Sequence, residues 1–282
     1  MHTSGTEALP RVALLGVGSM GGAILAGLRA PGVRLDGPIA VTTRTAASAA
    51  GYDDADDVEA VASETDPEAN RRAVRGAGVV ILAVKPWAIH ELLREIAGEL
   101  VPGSVVVSVA AGVTTAGMEE LVPAGVAVVR AMPNTPSLIG RGVTGIAGGG
   151  SARPGDLDTV RRVFETVGRV LVVDEARIDA LSAVSGSGPA YLFFFAEQFT
   201  AAAIRLGFSE EEARMMAEGT VTGAAELMAR SGADPAELRR RVTSPNGTTE
   251  RAIDVLSGAG WAETFDAALA AAIARSKELA AG

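Results

Sequence analysis

Three glycines near the start of the chain have the spacing of a dinucleotide-binding turn. Residues 16–21, GVGSMG, follow a short apolar strand at 12–15 and open a helix that is predicted to run to about Leu28. There Gly16 permits a tight turn, Gly18 lets the backbone approach a pyrophosphate, and Gly21 allows a helix to pack closely on a strand. The helix N-terminus adds amide donors for phosphate oxygens. The spacing therefore predicts a dinucleotide site, with an ordinary glycine turn as the alternative.

The end of the second predicted strand, at residues 39–42, is followed by a basic residue instead of an acidic one. Enzymes that bind NAD usually place Asp or Glu there to accept a hydrogen bond from the adenosine ribose. Here Thr43, Arg44 and Thr45 follow the strand, and Arg44 could make charge-assisted hydrogen bonds to a 2′-phosphate. The pattern favours NADPH, with NADH as the other possible cofactor. The alternative is a surface arginine that binds nothing.

Three later strands end in small residues and prolines. The segments are AVKP at 83–86, VAA at 109–111 and MPNTP at 132–136. Open sheets bind ligands at the carboxyl ends of their strands, and small side chains there leave room for a flat nicotinamide ring. Lys85 and Asn134 are candidate polar contacts at these strand ends, although Lys85 could equally be an ordinary solvent-exposed lysine.

The elements that position these residues change character along the chain. Short β-branched runs alternate with helical patterns up to about residue 173, and several runs are continuously apolar, as in strands of a parallel sheet with helices on both faces. After residue 174 the pattern indicates helices only. We predict a tail at 1–10, an α/β Rossmann-type domain at 11–175 and an all-α domain at 176–282. Strands are predicted at 12–15, 39–42, 58–61, 79–84, 105–109, 126–131, 143–147 and 170–173, and C-terminal helices at 189–206, 209–230, 235–242, 248–257 and 262–279.

Composition restricts the possible chemistry. The 282 residues include no cysteine and only two histidines, so thiol nucleophiles, disulfides and His-rich metal sites are excluded. The chain has 34 glycines, which indicates that backbone groups do much of the binding. The net charge of −9 disfavours nucleic-acid binding. No apolar run is long enough to span a membrane and no secretory signal is present, so we expect a cytoplasmic protein. The acidic run at 53–57 lacks a second acidic cluster, and no metal site is predicted.

Six segments together resemble one enzyme family. GVGSMG, AVKP, AAGV, MPNTP, SGSGPAY and TSPNGTT occur in the order and spacing found in pyrroline-5-carboxylate reductases, and the resemblance covers about residues 11–279. It implies reduction of the cyclic imine Δ1-pyrroline-5-carboxylate to L-proline with NAD(P)H, the last step of proline biosynthesis. It also implies a Rossmann domain, an all-helical dimerisation domain and a substrate loop contributed by the partner subunit. The assembly would be a dimer or a ring built from dimers.

The resemblance also implies roles for individual residues. Cofactor contacts fall on Leu15, Gly16, Val17, Gly18, Ser19, Met20, Gly21, Thr43, Arg44, Asn70, Ala83, Val84, Lys85, Pro86, Val109, Ala110 and Ala111, to which we add Asn134. Substrate contacts fall on Glu175, Ser244, Asn246, Gly247, Thr248 and Thr249, with Thr249 the catalytic residue that hydrogen-bonds the ring nitrogen. Asn246 stands where the family usually has glycine, but Asn can adopt a left-handed backbone, so we expect the turn to be kept. For Thr249 the alternative is a helix-capping threonine.

Two other functions remain possible from the sequence. A β-hydroxyacid dehydrogenase also begins with a GxGxMG turn, but it needs a lysine in the first long helix of its second domain, and residues 185–205 contain neither lysine nor asparagine. A protein that binds NADPH without catalysis could keep the same fold. The substitution at Asn246 is the one feature in its favour.

Overall fold

The structure is a computed structural model that describes residues 7–281. The chain forms two compact units, one that runs to Gly186 and includes the end of the chain from Ile273, and one of Ser187–Ala272. The strands of the first unit are β1 (Val12–Leu15), β2 (Ile39–Thr43), β3 (Val58–Ala62), β4 (Val79–Leu82), β5 (Val105–Ser108), β6 (Ala127–Met132), β7 (Gly142–Gly148) and β8 (Gly168–Val172). Its helices are α1 (Ser19–Leu28), α2 (Ala46–Ala50), α3 (Ala69–Val74), α4 (Ile89–Ile96), α5 (Thr115–Glu119), α6 (Pro154–Glu165) and α7 (Ile178–Leu181).

The strands form one sheet in the order β3-β2-β1-β4-β5-β6-β7-β8. Strands β1 to β6 are parallel, so their carboxyl ends lie at one edge of the sheet. Strands β2 and β3 lie on one side of β1 and β4 lies on the other, so a topological switch point falls between β1 and β4. This confirms the α/β Rossmann-type prediction.

The sheet is buried on both faces, which explains its continuous apolar strands. Val12 and Leu14 pack into one hydrophobic core, whereas Ala13 and Leu15 pack into another. Successive side chains of a strand point to opposite faces, so a strand covered on both sides must be apolar at every position.

The direction of the last two strands differs from the predicted parallel sheet. β7 runs antiparallel to β6, and β8 is parallel to β7. Between β6 and β7 lies only the short 3-10 turn Thr135–Ile139. Parallel strands need a crossover of about a dozen residues or more, and this connection is too short to provide one.

The N-terminal segment and the division into units also differ from expectation. Residues 1–6 of the predicted tail lie outside the described residues, but Leu9 is buried, donates its N–H to the carbonyl of Arg34 and accepts from Asp36. The ordered chain therefore begins before residue 11. The compact units divide after Gly186 instead of near residue 175, because Ile178 is buried and α7 packs against β7.

The second unit is entirely helical, as predicted. Its helices are α8 (Gly188–Arg205), α9 (Glu210–Ser231), α10 (Pro235–Arg241), α11 (Thr248–Ser257) and α12 (Trp261–Ala281), the last of which continues beyond this unit. Ser209 and Glu212 form a capping box at the start of α9, and Asp234 caps α10. Of residues 187–272, only Ala213 and Ala217 are buried.

Two further observations concern absent features. Across the described part of the chain, no helix combines the length and apolarity needed to cross a bilayer. No group of three or more His, Asp or Glu residues that could hold a metal ion occurs there either. In the acidic run, Asp57 instead accepts a hydrogen bond from Nε of Arg29 at 2.7 Å, which lowers the pKa of its carboxyl.

Glu119 holds the glycine-rich loop that precedes α6. Its Oε1 accepts hydrogen bonds from the N–H of Ser151 at 2.8 Å and from the Ser151 hydroxyl at 2.7 Å. A Cβ at Gly149 would lie 2.5 Å from the same oxygen, so the carboxylate fits because this position has no side chain. Burial raises the pKa of Glu119, but the hydrogen bonds from Ser151 and Gly150 outweigh it and hold the pKa below its ordinary value.

We expect the charge of Glu119 to make stability depend on pH. A carboxyl whose pKa is lowered by folding stabilises the protein above its unfolded-state pKa, and this contribution is lost as the pH falls through the folded-state pKa. Glu119→Gln keeps the acceptor but not the charge. Urea unfolding should show the variant about 1 kcal/mol less stable near neutral pH, with a gap that closes as the pH falls below about 4, through the lowered pKa of Glu119.

Glu120→Gln is the matched control, because the neighbouring Glu120 side chain is exposed. It should leave the unfolding free energy within about 0.5 kcal/mol of wild type at each pH. A gap for Glu119→Gln that is the same at both pH values would contradict the assignment.

Candidate active site

The glycine turn has the geometry that its spacing predicts. Gly16 has a φ of +96°, in the left-handed region, and donates its N–H to the carbonyl of Thr42 at 3.0 Å. A Cβ at Gly16 would lie 3.0 Å from the carbonyl oxygen of Ala83. Gly16 thus lets the chain turn between the ends of β2 and β4.

The other two glycines, Gly18 and Gly21, leave an open space beside the first turn of α1, which we call the cradle. A Cβ at Gly21 would lie 2.2 Å from the carbonyl oxygen of Gly16, so any side chain there would push the helix away from the turn. A Cβ at Gly18 would meet nothing within 4 Å, and Gly18 caps α1 without a side-chain hydrogen bond. The first amides of an α-helix have no partner inside the helix. Open space beside unpartnered amides fits a pyrophosphate.

The side chains of the turn differ in what they can contribute. Leu15 is completely buried, so only its backbone could touch a cofactor, and its carbonyl already accepts from the N–H of Ala83 at 2.9 Å. Met20 packs against the hydrophobic core. Ser19 is exposed and Val17 partly so.

The end of β2 presents one free cation. Thr43 is buried, and its hydroxyl donates to the carbonyl of Thr45 at 3.0 Å. The Arg44 side chain is exposed and has no hydrogen bond or ion pair with any residue in 7–281. The guanidinium is free to meet an anion on a loop fixed by Thr43, and its phosphate contact stays a prediction.

The ends of β4 and β5 lie side by side next to the turn. The N–H of Val109 donates to the carbonyl of Leu82 at 3.1 Å, and the N–H of Ala110 donates to the Ser108 hydroxyl at 3.2 Å. Ala110 is buried and Ala111 exposed. Val84 lies close to Gly16, whereas Lys85 and Pro86 are exposed at the start of a short 3-10 turn, Pro86–Ala88.

The side-chain amides of Asn70 and Asn134, which are predicted to contact the cofactor, form hydrogen bonds within the protein. Asn134 is buried; its Nδ2 donates to the carbonyl of Ser185 at 2.8 Å and its Oδ1 accepts from the N–H of Val143 at 2.8 Å. Asn70 donates from Nδ2 to Oε2 of Glu95 at 3.1 Å. Asn134 therefore serves to hold the start of β7, and cofactor contacts of both residues stay predictions.

Glu175, the predicted substrate carboxylate, belongs to a partly buried polar network around the buried Arg130. Its oxygens accept from the N–H of Thr115 at 2.7 Å and from the Thr115 hydroxyl, and one lies 3.7 Å from Nη1 of Arg130. Nη2 of Arg130 pairs with Asp179 at 3.0 Å, and Asp179 also accepts from the hydroxyl of Ser276. The carboxylate of Glu175 thus fixes the start of α5, directly after the β5 loop.

Arg130 is the residue of this network that the motifs do not reveal. Its side chain is 6% exposed, in a strand that is otherwise apolar. A buried guanidinium must be paired, and Glu175 and Asp179 supply the pairing from beyond β8. The sequence signal that could have found it is a single charge inside the apolar run 126–131.

In the helical unit, the predicted substrate loop is a tight turn before α11. The N–H of Gly247 donates to the carbonyl of Ser244 at 3.0 Å, and a Cβ at Gly247 would lie 2.9 Å from that oxygen. Asn246 has a φ of +58° and is the one residue other than glycine with positive φ in the described chain. The expectation that Asn246 keeps the turn is therefore confirmed, and its N–H is fixed by Glu250 at 2.8 Å.

The start of α11 leaves Thr248 and Thr249 available. The N-cap of α11 is Gly247 and makes no side-chain hydrogen bond, so the alternative in which Thr249 caps the helix is wrong. Both threonines are exposed, and their hydroxyls have no partner among the described residues. Their backbone amides belong to the first helical turn, where an anion can bind.

The fold and the glycine turn define a dinucleotide-dependent oxidoreductase, and comparison with known proteins agrees. Residues 11–112 match the family model "NADP oxidoreductase coenzyme F420-dependent", and residues 175–279 match "Pyrroline-5-carboxylate reductase dimerisation". The second match indicates a homo-oligomer, and it begins close to the predicted domain boundary.

Similar proteins narrow the assignment. The chain is 40% identical to a pyrroline-5-carboxylate reductase of Pseudomonas aeruginosa, over 96% of this chain and 97% of that protein, and 41% identical to one of Corynebacterium melassecola, over 95% and 98%. The solved structure of a pyrroline-5-carboxylate reductase from Coxiella burnetii has a TM-score of 0.88 at 36% identity, covering 96% of this chain and 98% of that one. The chain belongs to the pyrroline-5-carboxylate reductase family. The β-hydroxyacid dehydrogenase alternative is thereby set aside.

We expect Arg130 to be essential for the stability of the first unit. Arg130→Met leaves Glu175 and Asp179 without their cation and should lower the free energy of unfolding by about 3 kcal/mol, measured by urea denaturation. Arg161→Met is the control, because Arg161 is 40% exposed and pairs with Asp158 and Glu165 on the surface of α6. It should cost less than about 1 kcal/mol. Equal losses of unfolding free energy in the two variants would show that the Arg130 ion pairs stabilise the protein no more than a surface ion pair does.

Proposed function

We propose that the protein reduces the cyclic imine Δ1-pyrroline-5-carboxylate to L-proline with NADPH. This proposal rests chiefly on two features that occur together in the chain, the open space at Gly18 and the exposed, left-handed turn before α11. The chain is also related to these reductases over nearly its full length. A chain with no cysteine and only two histidines also suits an imine substrate. The absence of cysteine from the chain is compatible with a reducing cytoplasm, where we expect the enzyme to work.

The cradle and the end of β2 would hold the two phosphate regions of the cofactor. The α1 amides and Gly18 suit the pyrophosphate, and the unpaired Arg44 suits a 2′-phosphate, so NADPH is preferred. A pyrroline carboxylate reductase of Plasmodium falciparum, described with NADP bound, shares the fold at a TM-score of 0.76 and 24% identity. The bound cofactor supplies the hydride.

The chemistry of an imine explains the lack of acid and base side chains. A carbonyl needs a proton donor for its oxygen as it is reduced, whereas an imine nitrogen is basic enough to enter already protonated. When the imine carbon is reduced, the C=N electron pair moves to a nitrogen that keeps its proton. The protein therefore acts mainly by positioning, which can provide about 7–11 kcal/mol of a barrier.

The loop before α11 would position the substrate. Its carboxylate would bind the amides of Thr248 and Thr249 with the exposed Ser244, and the hydroxyl of Thr249 would hydrogen-bond the ring nitrogen. Glu250 holds the loop closed through the N–H of Asn246. In this arrangement Gly247 and Asn246 shape the turn and need no side-chain contact with the substrate.

We further propose that this loop serves the active site of a partner subunit. No residue of α8 is buried within the single chain, and Phe193 and Phe194 are 70% and 61% exposed. Apolar surfaces of this extent indicate a protein interface. A second copy of the helical unit would cover them and bring each loop to the dinucleotide domain of its partner, in a dimer or a ring of dimers.

The proposed reaction is tested by mixing the purified chain with Δ1-pyrroline-5-carboxylate and NADPH. We expect oxidation of NADPH, followed by its absorbance, with one proline formed per NADPH consumed. NADPH binding measured by calorimetry in the absence of oxidation would instead support the alternative of a non-catalytic binding protein.

We expect Thr249→Ala to slow the reaction without weakening cofactor binding. Loss of one hydrogen bond made at the reacting nitrogen should lower kcat about 10- to 100-fold, with the KM for NADPH changed less than about twofold. The control is Thr159→Ala, since Thr159 is an exposed threonine of α6 whose hydroxyl bonds only the carbonyl of Gly155. Unchanged turnover in Thr249→Ala would remove Thr249 from the mechanism.

A further inference from the structure

A carboxylate that follows the third strand reaches the loop that follows the second. Thr43 and Ala62, the last residues of β2 and β3, are paired in register. Beyond them the chains stay together, because the N–H of Ser63 donates to the carbonyl of Thr43 at 2.9 Å and the N–H of Glu64 donates to that of Arg44 at 3.2 Å. Glu64 is therefore fixed by its backbone to Arg44.

The Glu64 side chain turns back along the same loop. Its Oε1 accepts a hydrogen bond from the N–H of Ala46 at 2.6 Å, only two residues beyond Arg44. Glu64 and Arg44 form no ion pair with each other in the described structure, and both side chains are exposed. The loop thus presents one free cation and one carboxylate with an oxygen still open to a ligand.

A carboxylate at this place has a defined chemistry. In dinucleotide domains the position after β2 contacts the adenosine ribose, where a carboxylate accepts a hydrogen bond from a 2′-hydroxyl and repels a 2′-phosphate. In this chain β2 itself ends without an acidic residue. Glu64, two residues beyond β3, brings a carboxylate to the same loop.

We propose that Glu64 is a specificity-determining residue that opposes Arg44. Arg44 favours the 2′-phosphate of NADPH, whereas Glu64 accepts from the 2′-hydroxyl of NADH and limits the preference for NADPH. The protein would then bind both cofactors, with the ratio of affinities set by this pair. This inference rests on the proposed use of a nicotinamide cofactor, but not on the identity of the imine.

The test is the ratio of the dissociation constants of NADPH and NADH, measured by calorimetry without substrate. Glu64→Gln keeps the acceptor for the N–H of Ala46 and removes the charge, so the loop should stay folded. We expect the ratio to shift about tenfold toward NADPH, as the loss of one charged hydrogen bond to NADH and of one repulsion of NADPH would give. Arg44→Gln should shift the ratio in the opposite direction.

Glu68→Gln is the control for a general change of charge. Glu68 lies in the same connection, but its carboxylate pairs with Arg71 at 2.9 Å, so the ratio should stay within about twofold of wild type. The proposal is overturned if Glu64→Gln leaves the ratio unchanged, if it weakens both cofactors equally, or if Glu68→Gln shifts the ratio as much. Because binding is measured without turnover, a protein that binds both cofactors but fails to reduce the imine would refute the proposed reaction and leave the role of Glu64 standing.

Discussion

The approach of Gly21 to the carbonyl of Gly16 is the constraint on which the first unit depends. With no Cβ between them, the first turn of α1 lies directly against the end of β1, and its unpartnered amides face open space at Gly18. The strand order then brings the ends of β2, β4 and β5 around that point. A chain without cysteine and with two histidines can in this way build a binding site from amides, whose positions are set by the sheet and not by side-chain conformers.

The same edge of the sheet is stiffened by polar groups that hydrogen-bond or pair with one another within the protein. Glu175 holds the start of α5, Arg130 holds Glu175 and Asp179, and Asn134 joins β7 to the chain before α8. Each of these groups is hydrogen-bonded in a largely buried setting, where leaving one unpaired would cost about 1–3 kcal/mol. Loops that follow β5 and β6 are therefore fixed before any cofactor binds, which is what a reaction accelerated mainly by positioning requires.

Local signals were sufficient for most of the fold and for the turns of the candidate site. Continuous apolar runs predicted buried strands, and Asn246 predicted a left-handed turn, because each depends on the residue itself. The reversed direction of β7, the burial of Leu9 and the pairing of Arg130 depend on partners distant in sequence. The side-chain amides of Asn70 and Asn134 hydrogen-bond to Glu95, Ser185 and Val143, partners distant in sequence that no motif indicates.

The helical unit exposes its large apolar side chains in the single chain, which connects subunit assembly with the proposed activity. Of its residues only two alanines are buried in the single chain, so its large apolar side chains can leave water only through association. If the loop before α11 serves the partner, the association that covers α8 also completes the active site. A free subunit would then lack both its hydrophobic cover and its substrate loop, and the protein concentration would govern stability and turnover together. Such a coupling would account for cofactor and substrate motifs that lie at opposite ends of the sequence.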